Sequence, residues 1–132
     1  MKYSDFIFRK PNAMSIVKRT LRFGVGINDA DYIVDYDIDG IRYTCPIYTL
    51  WSGILSRSYS KSYHSVQPTY SSCTVDERWH SFMAFREWVL TQPEWEGLQL
   101  DKDLLIPGNK VYGPDTCVFI SRQLNTFLAQ RR

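Results

Sequence analysis

Hydrophobic and polar positions alternate irregularly along the first twenty residues, with a short helix expected over Ala13–Leu21. "FGVGINDADY" is loop chemistry, because its glycines permit unusual backbone angles and its Asn and Asp residues favour turns. "DYIVDYDIDGIRYTCPIY" then places β-branched and aromatic residues on both sides of Asp39-Gly40. An Asp-Gly pair between such runs predicts a hairpin, with strands near Tyr32–Ile38 and Ile41–Cys45. Pro46 suits a helix start, and Tyr48, Trp51, Ile54, Leu55 and Tyr59 recur at three- and four-residue steps, which predicts an amphipathic helix. "SRSYSKSYHSVQPTYSS" reads as a polar, tyrosine-studded loop.

Thr74 and Glu77 have the T-x-x-E spacing of a capping box. Trp79, Phe82, Met83, Phe85, Trp88 and Val89 give the following helix a broad apolar stripe, which Pro93 ends. These aromatics are expected in the core. Leu100–Ile120 reads as strand, Pro-Gly-Asn turn and strand, and Ser121 is placed to cap a last helix carrying Leu124, Phe127 and Leu128. Helices and short strands in this order predict an α+β fold: an N-terminal β-hairpin and helices, then a strand-strand-helix unit.

At 132 residues the chain suits one domain with a modest core, and 44% apolar and 15% aromatic content marks it as globular. A net charge of +2 does not argue for nucleic-acid binding by itself. Its distribution says more. Met1–Phe23 carries Lys2, Arg9, Lys10, Lys18, Arg19 and Arg22 against Asp5 alone, and residues 1–22 read as a basic arm ahead of a domain over 23–132. Asp29, Asp31, Asp35, Asp37 and Asp39 follow, and Ile41–Val75 then holds Arg42, Arg57 and Lys61 with no acid. A polyanion would meet the basic faces only; ordinary solvated charge accounts for the same pattern.

Cys45, Cys73 and Cys117 are odd in number and widely spaced, which favours reduced thiols over a disulfide framework or a zinc site. No stretch approaches the ~20 apolar residues of a membrane span, and a soluble cytoplasmic protein is expected, without a membrane partner.

The chemistry concentrates in "LDKDLLIPGNKVYGPDTCVFI", where Asp101 and Asp103 flank Lys102. On an extended strand the two carboxylates would share one face. A cation-and-phosphate site is one reading of three adjacent charges, and a solvated strand end is the other.

"GVGINDADY", "CPIYTLWSGILSRSYS", "PTYSSCTVDERWHSFMAFREW" and "WEGLQLDKDLLIPGNKVYGPDTCVFI" together resemble the HNH (His-Me finger, ββα-metal) endonucleases, in particular phage proteins related to HNH homing endonucleases. The resemblance spans Phe23 to about Asn125. Members often continue into a second, AP2-like DNA-binding domain, which is not expected within these 132 residues. In that superfamily a strand ends in Asp/His-His, a loop follows, and a helix brings in an Asn or His. One histidine activates water, and the other ligands hold a divalent cation that offsets charge on the phosphate and leaving oxygen.

The resemblance implies Mg²⁺ or Mn²⁺ held by Asp101 and Asp103, with Thr116 standing where relatives usually have a metal-binding Asn. Lys102 stands in the place of the general-base histidine, and Asn109 lies in the loop between. A general base works best with a pKa near ambient pH, whereas an unperturbed lysine titrates at about 10.4. Lys102 is therefore expected to contact phosphate and to be a poor proton acceptor. His64, in the polar loop, is the candidate replacement base; His80, inside an apolar helix, reads as structural.

Double-stranded DNA is the partner this implies, with Lys18, Arg19, Arg22, Arg57, Tyr59, Lys61 and Lys110 as contacts to its backbone. The expected activity is divalent-metal-dependent nicking of DNA. Two alternatives belong to other classes. One is a catalytically silent HNH-like DNA-binding module. The other is a phage effector that engages a host protein through the aromatic stretch Tyr59–Tyr70.

Overall fold

A computed structural model describes residues 1–131. The fold is α+β, with the expected N-terminal hairpin. Strand β1 (Asp35–Ile38) pairs antiparallel with β2 (Ile41–Thr44), in the register Asp35 opposite Thr44 and Ile38 opposite Ile41. Asp39 and Gly40 have φ of 52° and 80°, the left-handed pair that a two-residue turn needs to match strand twist. Both strands are shorter than expected, beginning at Asp35 and ending at Thr44, because Cys45 already serves as the cap of the next helix.

Helix α2 (Pro46–Tyr59) buries Ile47, Trp51, Ile54 and Leu55. Helix α4 (Phe82–Leu90) packs against it, burying Phe82, Phe85 and Val89. Trp51 and Trp79 are fully enclosed, and the Trp51 indole donates to the Trp79 carbonyl at 2.7 Å, so the largest core side chain carries no orphan donor. Gly26 passes so close to this core that a Cβ there would lie 2.5 Å from Leu55 Cδ1.

Three expectations change. Thr74 starts no helix: Thr74–Val75 forms β3, parallel to β5 (Val111–Tyr112). The side chain of Asp76 caps a 3₁₀ turn over Glu77–Trp79, and Ser81 caps α4. A strand partner distant in sequence won over the local capping pattern. The tyrosine-rich segment is ordered, with Ser60 capping helix α3 (Lys61–Val66) and a 3₁₀ turn over Pro68–Ser72 following. Finally, helix α1 (Ala13–Val17) is shorter than expected, and the basic segment over residues 1–22 packs in part against the rest of the chain. Phe6 is buried, the Tyr3 hydroxyl accepts from Arg86, and Arg9 lies 4.6 Å over the Tyr36 ring.

The C-terminal part runs β4 (Gln99–Asp101), a long loop, β5, β6 (Val118–Ile120) and α5 (Arg122–Arg131). Strand β4 pairs with β6 antiparallel, Asp101 opposite Val118, and α5 returns beside β4. The simple strand-turn-strand expectation thus gives way to a loop whose outgoing leg leaves to pair with β3. Among the described residues no helix is long and apolar enough to cross a membrane.

Candidate functional site

A cleft of about 490 Å³ opens between α2, the tyrosine-rich segment, β4 and α5. Asp101, Lys102 and Asp103 line it, facing Arg57 from α2, Asn125 from α5 and the rings of Tyr63, Tyr70 and Tyr112.

The expectation that Asp101 and Asp103 share a strand face is not met. Strand β4 ends at Asp101, whose Oδ2 accepts the backbone N–H groups of Asp103 and Leu104 at 3.0 and 2.6 Å. This is the Asx-turn habit of aspartate, which bonds its own backbone two residues on. The bend turns the chain while keeping both carboxylates at the cleft. Asp101 is buried, with its Oδ2 bonded to oriented backbone amides.

Lys102 is 8% exposed, a rare burial for lysine. Its ammonium donates to both oxygens of Asp103 at 3.2 and 3.0 Å and lies 5.8 and 5.6 Å from the ring centroids of Tyr70 and Tyr112. A carboxylate and two π faces thus replace the water it gave up. Arg57 Nε donates to the Tyr112 hydroxyl at 3.1 Å. Burial holds that hydroxyl's pKa above the ordinary tyrosine value, against the pull of Arg57, so the phenol stays protonated.

The other sequence candidates are placed differently. Asn109 sits in the loop as a clamp: its Nδ2 donates to the carbonyls of Lys102 and Val111 and to Thr116 Oγ1, and its Oδ1 accepts from Val111 N–H. Thr116 belongs to this clamp and does not line the cleft. His64 is also outside the lining; its Nε2–H donates to the Arg57 carbonyl at 2.8 Å. His80 Nε2–H donates to the Val75 carbonyl, the structural role expected for it. Arg19 is spent internally, donating to the carbonyls of Asn28, Ala30 and Tyr32, and the Tyr59 hydroxyl accepts from Val75 N–H. Lys18, Arg22, Lys61 and Lys110 are exposed, with Arg22 also donating to Ser52.

Asn125 is the cleft residue the sequence reading missed. It lies one turn into α5, after the Ser121 cap, and its Nδ2 donates to Gln99 Oε1 on β4 at 2.6 Å. With the amide hydrogen so committed, Oδ1 is the atom it has to offer as a ligand. The signal was present: a helix starting immediately after β6 with Asn four residues past its cap.

Two carboxylates and an amide oxygen are hard donors, and Mg²⁺ is commonly held by one or two carboxylates with waters completing its shell. Asp101, Asp103 and Asn125 bring three such oxygen-bearing side chains to the lining of the cleft. It is not an all-protein cage, since among the described residues no three His, Cys, Asp or Glu side chains are grouped to hold a metal. Comparison with family models, curated proteins and solved structures gives no match to this chain.

Proposed function

We propose that the chain is an HNH-like DNA endonuclease, a divalent-metal-dependent phosphodiesterase that nicks DNA in this cleft. One observation carries the reading: β4 and β6 pair antiparallel with α5 following β6, and Asp101, Lys102, Asp103 and Asn125 line one opening with Arg57. Asp101, Asp103 and Asn125 would hold Mg²⁺ or Mn²⁺. When bound, the ion supplies neutralisation of charge on the phosphate and leaving oxygen.

The chain's own part is binding and positioning. Arg57 and Lys102 contact the phosphate, with the guanidinium oriented by Tyr112 and the ammonium by Asp103. Exposed Lys18, Arg22, Lys61 and Lys110 add sequence-independent contacts to the duplex. Asp101 shapes the loop through its two backbone hydrogen bonds, and Asn109 locks the loop's legs together.

Plasmid nicking in Mg²⁺ or Mn²⁺ tests the reading, comparing the wild type with Asp101→Asn and Asn125→Ala. Asp101→Asn keeps an oxygen for the Asp103 and Leu104 amides while removing the charge. Loss of nicking in both variants, with unchanged thermal unfolding, supports the site. Activity that survives both refutes it.

A second reading is favoured by a specific feature. No imidazole lines the cleft, and Lys102 stands paired where the resembled enzymes have their base. A silent HNH-like DNA-binding module would show salt-sensitive duplex binding and no cleavage with any metal. The effector reading gains less, because Tyr63 and Tyr70 pack edge-to-face and line the cleft rather than forming an outward surface.

A further inference from the structure

Tyrosine rings line the cleft, where a cation and a phosphate alone would need none. Tyr63 comes from α3, Tyr70 from the 3₁₀ turn after it and Tyr112 from β5. Packing accounts for two of them. Tyr112 is 3% exposed and takes the Arg57 Nε hydrogen bond, and Tyr70 packs against the hydrophobic core with Lys102 5.8 Å from its ring centroid. Tyr63 is different. It is half-buried, it lies outside that core, and its ring meets Tyr70 in an edge contact with centroids 5.6 Å apart. Such a contact leaves aromatic area on Tyr63 for a further flat partner.

Arg57 supplies a charge beside that ring. Its Nε is spent on Tyr112, which fixes the plane of the guanidinium. One turn earlier in α2 stands Gly53, and a Cβ there would lie 3.4 Å from Arg57 Nη1. The terminal nitrogens thus lie beside a residue that has no side chain to cover them. Lys102, by contrast, is neutralised by Asp103, so Arg57 is the cation this wall offers to an anion.

The size of the opening narrows the ligand. At about 490 Å³ it suits one small unit, and Asp101 and Lys102 at its wall are only 5% and 8% exposed. A ring, a guanidinium and a recessed wall together match a single nucleotide: a flat base at one end and a phosphate at the other. A base inside a duplex has both faces covered by its neighbours, whereas an unpaired base can stack on an aromatic side chain. We infer that the strand enters the cleft unpaired, with one base lying on Tyr63 and the adjoining phosphate against Arg57. The inference rests on the DNA reading above and names its substrate class: DNA with locally unpaired nucleotides, its paired flank held by the exposed lysines outside the cleft.

The test uses the full chain, Ca²⁺ as the cation and labelled duplexes of one length, with binding followed by anisotropy. One duplex is fully paired, a second carries a short internal run of opposed thymines, and a third has abasic residues in place of those thymines. The wild type is expected to bind the thymine duplex on the order of ten-fold more tightly than the paired one, the worth of one stacked base. The abasic duplex is as flexible but offers no base, and is expected to lose the gain without any change to the protein. Tyr63→Phe should keep the preference and Tyr63→Leu should lose it, both with unchanged binding of the paired duplex and the same salt dependence. Equal binding of the paired and thymine duplexes, or a gain that survives abasic replacement or Tyr63→Leu, overturns the inference and leaves the DNA reading standing. No binding of any duplex overturns both.

Discussion

Lys102 closes an ion pair with Asp103, the residue beside it, through contacts of 3.2 and 3.0 Å to the two carboxylate oxygens. Neighbours in sequence form this chelate only because the chain bends at Asp101, and the bend makes one run of charges into a compact, shielded unit. The pairing accounts for the run of charges where β4 ends: Asp101 bonds the backbone amides of the turn, and Lys102 and Asp103 face each other at the cleft wall. It also leaves Lys102 oriented as a cation at the cleft wall.

Replacing Lys102 with Met should therefore act on binding and stability together. On the proposed function one phosphate contact would be lost, so the salt dependence of DNA binding should fall by roughly one ion. Removing one partner of a shielded pair should also cost about 2 kcal/mol, less than a fully buried pair because water reaches part of Asp103. Salt titration by anisotropy and urea unfolding measure the two effects separately.

Asn109→Ala should destabilise the protein by about 2 kcal/mol, because two carbonyls and the Val111 amide lose their partner at once. Thr116→Ala removes only a peripheral member of the clamp and should cost less than about 1 kcal/mol. It should leave Mn²⁺ affinity unchanged, since Thr116 is outside the cleft. Thermal unfolding and Mn²⁺ titration check both variants.

Asp76 gives a pH signature. Hydrogen bonds from the Arg78 side chain and backbone hold its carboxyl down to about 2. A carboxyl depressed in the fold stabilises above its unfolded value of about 3.9 and loses that contribution as pH falls toward 2. The stability gap between wild type and Asp76→Asn should be constant from pH 7 to 5 and close between about 4 and 2. Arg78 is mostly exposed, so the gap should be about 1 kcal/mol. Urea unfolding at several pH values measures it.

Cys45, Cys73 and Cys117 are all buried and unbridged. Burial pushes the Cys117 thiol up to about 11, so almost no thiolate exists at pH 8. A thiol reagent should label none of the three in the folded protein within minutes and all three after unfolding in urea. Fast labelling of any of the three in native protein would contradict the burial of that cysteine.

Local chemistry made much of this structure readable. Asp39-Gly40 announced the hairpin, the 46–59 stripe announced α2, and Ser121 announced the cap of α5. Contacts between distant residues hid the rest. Thr74 looked like a helix cap because nothing near it in sequence shows that Val111 will pair beside it. The tyrosine-rich stretch looked like a loop because its order comes from Tyr63 against Tyr70 and from the Tyr59 hydroxyl on Val75. Asp101 and Lys102 were legible as a charged cluster, and both line the cleft. The turn that Asp101 makes was available in principle, since aspartate at a strand end commonly caps the following amides. Asn125 was missed because its value depends on α5 lying beside β4, a fact of packing.

On the proposed function the Asp101–Asn125 cleft would seat a divalent cation. Anomalous diffraction from a crystal soaked in Mn²⁺ tests it most directly. The expected result is a peak within coordination distance of Asp101, about 2.2 Å, that disappears in Asp101→Asn. A fully soaked crystal with no peak in the cleft, or one unchanged by that substitution, would contradict it.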